Sequence, residues 1–242
     1  MADRPRTVDA SVRLAKKRRQ RLRRRILVVA SVVVVLALVG GVAWTVLFSS
    51  AFAATTVSVS GTTVLSADDV TAAAKVPLGT SLARIDTTAI ATRVKQLKAV
   101  ADVTVTRVVP HGIKIVVKER TAVYALSASS GFDLVDASGV AYTSVVDAPK
   151  GLVVASITGD DERLRHDVAT VVVALPQALR DRAVLITAGT PDSIVIELSG
   201  GVEVVWGSAD DSAQKSQVIA TLLSVKASVY DVSSPSHPTT KA

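Results

Sequence analysis

The chain is 242 residues long and holds no cysteine, which excludes a disulfide framework and any cysteine-based metal site. Its net charge of +7 is unevenly placed: residues 1–25 carry eleven Lys/Arg against two Asp, a net of +9, so residues 26–242 sum to −2. The basic balance therefore belongs to one short arm and does not describe a nucleic-acid-binding face elsewhere.

Eight of the arm's cations fall in Lys16–Arg25, ending in Arg23-Arg24-Arg25. No aromatic residues interleave to stack bases, so the arm does not read as a nucleic-acid binder. It lacks apolar periodicity, and residues 1–25 are expected to be disordered or lipid-associated, each basic residue near an anionic surface contributing about 1 kcal/mol. Residues 26–48, ILVVASVVVVLALVGGVAWTVLF, contain no charge. At ~1.5 Å per residue they span ~34 Å as a helix, enough for a hydrocarbon core of ~30 Å. A helix is the one open-ended structure that satisfies its backbone in lipid, so the valine content does not argue for a strand. Trp44, Phe48 and Phe52 gather at the far end, where amphipathic rings favour the membrane–water interface. The positive-inside rule then keeps the arm cytoplasmic, through Arg23, Arg24 and Arg25 at the membrane edge, and exports the rest.

Ala51-Phe52-Ala53 has the small-x-small form of a signal-peptidase site, and a cleaved signal peptide is the competing reading. The apolar run exceeds the ~7–15 residues of such signals and the arm before it is long, so retention as an anchor is expected.

Residues 49–54 read as a spacer. Val57-Ser58-Val59 alternates as a strand and stops at the turn Ser60-Gly61-Thr62. Ser66-Ala67-Asp68-Asp69 is a capping box that opens a helix. Pro77-Leu78-Gly79 ends it, and Thr87 begins a second helix with Ile90, Val94 and Leu97 on one face. Strands at 103–109 and 113–118 flank the turn Pro110-His111-Gly112. Near Thr121 a second domain begins: a strand, turn and strand over 132–142, a strand at 152–156, and a helix from 160 carrying Leu164, Val168 and Leu175. A hairpin joins 194–198 to 202–206 through Ser199-Gly200-Gly201. A last helix starts at Ser208, a short strand covers 228–233, and 234–242 reads as a polar, proline-bearing, disordered tail.

Catalytic constellations are not found. His111, His166 and His237 show no metal-ligand spacing, and no G-x-S-x-G or S-x-x-K motif occurs. The carboxylate clusters at 68–69, 160–162 and 210–211 sit at helix starts, where they cap and complement the dipole. Residues alone thus describe an α+β, membrane-anchored, extracytoplasmic interaction protein with no catalytic, cofactor or metal site. Rival readings are a membrane-tethered cell-wall enzyme and a sensory regulator; a basic arm of 25 residues is too short for the regulator's cytoplasmic domain.

A basic arm, one membrane helix and V-x-V-x-G (Val57, Val59, Gly61) resemble the FtsQ/DivIB family of bacterial cell-division proteins. The likeness continues through Pro77–Asp86, V-x-V-x-R-x-x-P-x-x-I-x-I-x-V-x-E-R (Val103–Arg120), L-V-D-x-x-G (Leu134–Gly139), V-x-V-x-W-G (Val202–Gly207) and Tyr230-Asp231-Val232. The family's proline two residues after E-R is here Ala122. The resemblance implies a POTRA-type βααββ domain over 55–120 and a mixed α/β domain with an antiparallel-rich sheet, the β domain, over 121–233. It also implies a non-enzymatic scaffold at the division septum, with other divisome components contacted through the POTRA domain. FtsB- and FtsL-type single-pass coiled-coil partners would be received by strand addition at Tyr230, Asp231, Val232, Ser233 and Ser234. The family's strong aromatic in this region has no counterpart after Tyr230.

Overall fold

The computed structural model describes residues 9–48 and 50–242, with side chains from Arg24 onward except those of Val46 and Phe48. Residues 1–8 of the arm, Ser49 of the spacer and the side chains of Arg23 and Phe48 lie outside the described residues. A 40-residue helix, α1 (Asp9–Phe48), opens the chain. It contains the apolar stretch Arg24–Thr45, none of which is buried by protein. Helix α1 corrects the expectation of a disordered arm, because it already includes residues 9–25. Arg, Lys, Leu, Gln and Ala are strong helix formers, and the apolar helix supplies the nucleus that the arm only has to propagate.

After a 3₁₀ turn at Ser50–Phe52 come β1 (Thr56–Ser60), α2 (Ala67–Ala74), α3 (Thr87–Lys95), β2 (Val100–Val108) and β3 (Gly112–Glu119). The three strands form one sheet in the order β1-β3-β2. Ser66 Oγ accepts the Asp69 N–H at 3.0 Å, one of the two bonds of the expected capping box, and the Ser66 hydroxyl donates to the Asp69 carboxylate at 2.7 Å. Asp86 Oδ1 caps α3 by accepting the Thr88 N–H at 2.9 Å. Ile90 and Val94 are buried as expected, whereas Leu97 lies beyond the helix and is half-buried. Gly61 has φ +84°, and a Cβ there would stand 2.1 Å from the Val117 carbonyl oxygen. The glycine of V-x-V-x-G is therefore required twice over, by backbone angle and by close approach.

The second sheet holds nine strands: β4 (Ala122–Ala128), β5 (Gly131–Asp136), β6 (Ala141–Val145), β7 (Val153–Ile157), β8 (Ala183–Ala188), β9 (Ile194–Leu198), β10 (Val202–Gly207), β11 (Val229–Asp231) and β12 (Thr239–Lys241). Their order is β12-β11-β10-β9-β8-β7-β4-β5-β6. Five neighbouring pairs are antiparallel, and β4–β7, β7–β8 and β10–β11 are parallel. Helix α4 (Glu162–Ala174) packs on β4, β5, β7 and β8 and on α6 (Ser212–Leu222), while α5 (Gln177–Arg180) is a single turn. The core joins Tyr124, Val168, Val172, Ile186, Ile196 and Trp206, an aliphatic interior with few aromatics as the composition requires.

The chain divides into two compact units. One holds the described residues up to Ser58 with Lys75–Thr88 and Val105–Ile115; the other holds Val59–Ala74, Ala89–Thr104 and Val116–Ala242. The division crosses the 55–120 segment.

Candidate docking edge of the C-terminal sheet

The hairpin of Ile194–Leu198 and Val202–Gly207 is written in alternation: Ile194, Ile196, Leu198, Val204 and Trp206 are buried. Its register slips between Val205 and Gly207, a bulge that Gly207 makes at φ +74°. A Cβ on Gly207 would meet Ser233 Cβ at 2.9 Å, so this glycine is what lets the chain after β11 pass close to β10. Trp206 donates its indole N–H to Ser212 Oγ at 3.1 Å, and Ser212 donates to the Ala209 carbonyl at 2.7 Å, fixing the start of α6. Lys215 on that helix is only 2% exposed and donates to the Ser208 carbonyl at 2.8 Å. Burial pulls its pKa below the ordinary lysine value, against the opposing charges of Asp210, Asp211 and Asp192.

From α6 the chain returns as β11, parallel to β10 with Val204 opposite Tyr230. Tyr230 is buried; its hydroxyl donates to the Val225 carbonyl at 2.6 Å and accepts the Ala227 N–H at 3.2 Å, closing the connection. Val232 is buried too, and its N–H donates to the Val205 carbonyl at 3.0 Å. Asp231 Oδ1 accepts both the Ser233 N–H, at 2.9 Å, and the Ser233 hydroxyl, at 2.7 Å, an Asx turn that stops the strand.

Two expectations are corrected here. Residues 234–242 are not a disordered tail: after the turn Ser234–Pro238 the chain forms β12, antiparallel to β11 with Asp231 opposite Thr239 and Val229 opposite Lys241. Strand β11 consequently has a neighbour on each side and is not the sheet's edge. Of the five residues expected to dock a partner, Tyr230 and Val232 are core, Asp231 and Ser233 form their own turn, and Ser234 stands exposed on the loop after it. Among the described residues β12 is the outermost strand on this side, and all three of its residues are exposed.

The register gives the direction of its backbone. Glu203 N–H donates to the Ser228 carbonyl at 2.9 Å and Val232 N–H to the Val205 carbonyl, so the Ser228 carbonyl, Tyr230 and the Val232 N–H face β10, while the Ser228 N–H donates to the Lys241 carbonyl of β12 at 2.8 Å. By alternation Val229 and Asp231 face β12, their partners Lys241 and Thr239 face back, and Thr240 turns its N–H and C=O away from the sheet. Sequence reading missed β12; its signal was the β-branched pair Thr239-Thr240 directly after Pro238.

The junction before this sheet is fastened by the E-R pair. Glu119 accepts the N–H groups of Thr63, Val64 and Leu65 at 2.9, 3.0 and 2.8 Å. Burial works to raise its pKa, and these backbone donors outweigh that and lower it. Arg120 is ion-paired with Asp136 and donates through Nε to the Lys98 carbonyl at 3.0 Å. Asp136 also accepts from Ser138 N–H and hydroxyl and from Val140 N–H at 2.9, 2.7 and 3.0 Å. For this carboxyl too, burial pushes upward, but the bonds from Ser138, Val140 and Arg120 prevail and hold it below its usual value.

The histidines are separate. His111 Nδ1 lies 3.1 Å from the Ala53 carbonyl, His166 Nδ1 3.2 Å from the Ser138 carbonyl, and His237 Nδ1 3.0 Å from Ser236 Oγ on an exposed turn. A cleft of about 690 Å³ is lined by Asp133, Asp160, Glu162, Arg165 and His166 among others. In it Arg165 pairs with Asp160, and Asp133 accepts the Ser144 hydroxyl. Among the described residues no group of three His, Cys, Asp or Glu comes together to hold a metal. At the membrane end, Arg24 and Arg25 are exposed at the start of the apolar stretch and Trp44 is 66% exposed near its other end.

Residues 52–120 match the model of the FtsQ-type POTRA domain, and residues 124–233 that of the FtsQ/DivIB C-terminal region. Cell division protein FtsQ of Streptomyces collinus is 36% identical over 217 residues, covering 83% of this chain and 82% of that protein. The Streptomyces venezuelae protein of the same name is 37% identical over 213 residues, covering 83% and 79%. The solved extracytoplasmic domain of DivIB from Geobacillus stearothermophilus aligns with TM-score 0.36 and 16% identity, over 45% of this chain and 95% of that one. With both family models matched in order over most of its length, this chain belongs to the FtsQ/DivIB family of cell-division proteins.

Proposed function

We propose that the chain is a single-pass membrane scaffold of the bacterial division septum, holding other division proteins through its outward domains. The observation that carries this reading is a nine-stranded sheet ending in an exposed short strand, β12, with the backbone of Thr240 turned outward. An exposed strand edge offers main-chain hydrogen bonds for affinity and alternate side chains for specificity, which is the chemistry of strand addition. FtsB- and FtsL-type coiled-coil proteins dock at β12, not at Tyr230–Ser234, and further divisome components meet the POTRA domain. The domains run from 55 to 120 and from 121 to 241, the second carried past 233 by β12, and the protein works by contact, without catalysis.

The arm stays cytoplasmic through Arg23, Arg24 and Arg25, with Trp44 and Phe48 at the outer interface. Burial at the small-x-small site supports retention of the anchor. Ala54 is wholly buried, donates its N–H to the Thr80 carbonyl and accepts from Gly79, both at 2.9 Å. Cleavage after Ala53 would leave a charged amine at that dry position, which is costly.

A fluorescent fusion in growing cells, with depletion alongside, tests the reading. Septal bands and filamentous depleted cells are expected. Even membrane fluorescence and normal division on depletion would overturn it.

A further inference from the structure

The outward charge is segregated between the two compact units. In the unit that contains α1, the residues beyond the helix carry Lys75, Arg84, Arg107 and Lys114 against Asp86, a net of +3. The other unit carries thirteen Lys/Arg against eighteen Asp/Glu, a net of −5.

The cationic unit is also stitched to the end of the anchor. The 3₁₀ turn Leu82–Arg84 touches α1 itself. Ala53 bridges to Ser81, Ala54 exchanges hydrogen bonds with Gly79 and Thr80, and the N–H groups of Thr55 and Thr56 both donate to the His111 carbonyl at 2.9 and 3.2 Å. Two loops are thereby held within a few residues of where α1 leaves the membrane. Each presents an exposed aliphatic beside a proline: Pro77-Leu78, with Leu78 58% exposed, and Val109-Pro110, with Val109 71% exposed. A single exposed valine or leucine needs no explanation. Two on loops tied to the same few residues after α1, with exposed Lys75 three residues before Leu78 and exposed Lys114 five residues after Val109, have a partner at hand if α1 lies in lipid.

We propose that Leu78 and Val109 insert into the headgroup layer of the bilayer that α1 crosses, with Lys75 and Lys114 on anionic lipid headgroups. The first outward domain is then seated on the membrane, a second attachment beyond the anchor. This rests on the membrane-anchor reading, since the loops reach lipid only if α1 does. The chemistry matches the usual combination at membrane surfaces, apolar area buried at the acyl boundary plus attraction of basic residues to anionic lipid.

The chain has no cysteine, so single-cysteine variants label cleanly. Leu78→Cys and Val109→Cys, each carrying an environment-sensitive dye, are reconstituted as full chain in phosphatidylglycerol–phosphatidylcholine vesicles. Val42→Cys, within the apolar stretch, reports the anchor, and Val146→Cys, 80% exposed in the other unit, reports water. The dyes at 78 and 109 should lose most of their fluorescence to doxyl-labelled lipid and resist acrylamide, while the dye at 146 does the reverse. Dyes at 78 and 109 as open to acrylamide as that at 146 would overturn the proposal while leaving the anchor intact. If the dye at 42 also escapes the lipid quencher, the anchor reading falls and the proposal falls with it.

Discussion

Asp231 Oδ1 accepts the Ser233 backbone N–H at 2.9 Å, so the amide that sequence pointed to as a docking donor is occupied within its own turn. Ser233→Pro would remove that bond, and Asp231→Ala would remove the acceptor for both the amide and the hydroxyl. Each should destabilise the fold by about 1 kcal/mol, the net worth of an ordinary hydrogen bond. For an outward region of this size that is a fall of roughly 2–4 °C in Tm. Thermal melts of the full chain in detergent check it; a Tm unchanged in both variants would mean that the turn does not hold the strand.

Arg120 and Asp136 supply a pH-dependent test. Asp136 has a folded pKa below its ordinary value, so the stability it contributes is present above about pH 4 and is lost as the pH falls through that value and lower. Tm should hold between about pH 7 and 5 and drop below about pH 4. Asp136→Asn should start from a lower Tm at neutral pH and show a shallower acid limb; Glu119, lowered in the same direction, keeps the limb from vanishing. Arg120→Ala leaves the Asp136 carboxylate buried without its cation, a loss on the order of 3 kcal/mol. An acid limb identical in wild type and Asp136→Asn would show that the pair does not govern it.

Gly207 and Gly200 form a matched pair. Both have positive φ, but a Cβ on Gly207 meets Ser233 at 2.9 Å, and a Cβ on Gly200 meets nothing within 4 Å. Gly200→Ala should cost only the left-handed backbone strain, about 1 kcal/mol. Gly207→Ala adds displacement of the chain that leads to β12, on the order of 1–3 kcal/mol more. Limited proteolysis should nick 234–241 faster in Gly207→Ala than in Gly200→Ala. Equal rates would separate the glycine from the placement of β12.

The elements that sequence exposed were those with their own period. Ile194, Ile196 and Leu198 alternate, a glycine turn follows, and the hairpin could be read directly. Strand β8, AVLITA, is apolar without alternation, and a run of that kind carries no period to distinguish strand from helix. Lys215 belongs on a polar helix face by pattern, yet it is buried, because the Ser208 carbonyl seven residues earlier waits for its ammonium group. Glu119 and Arg120 are neighbours whose partners lie at 63–65, 98 and 136, distances that no local reading spans. The edge of the sheet was misplaced for the same reason. Ser234–Pro238 has the composition of a tail, and only the outer face of β11 makes a strand of what comes next.

The last prediction places the docking bond at Thr240. Its N–H points away from β11, so Thr240→Pro removes one outward donor without touching the bonds that Thr239 and Lys241 make to the sheet. Proline is tolerated at a sheet edge, and the substitution should leave Tm within about 1 °C of wild type, the small effect of an exposed position. Thr240→Ala keeps the N–H and removes only the side chain. If a partner adds a strand here, Thr240→Pro should weaken its capture by the full-length protein roughly tenfold, the equivalent of about 1.4 kcal/mol, and Thr240→Ala by less than threefold. Ser233→Pro, whose amide faces its own Asp231, should lose stability before it loses partner. Normal capture by Thr240→Pro, or equal damage from Thr240→Ala, would exclude backbone pairing at β12. An exposed three-residue strand ending in lysine would then be a protected edge, short and charged so that nothing pairs with it.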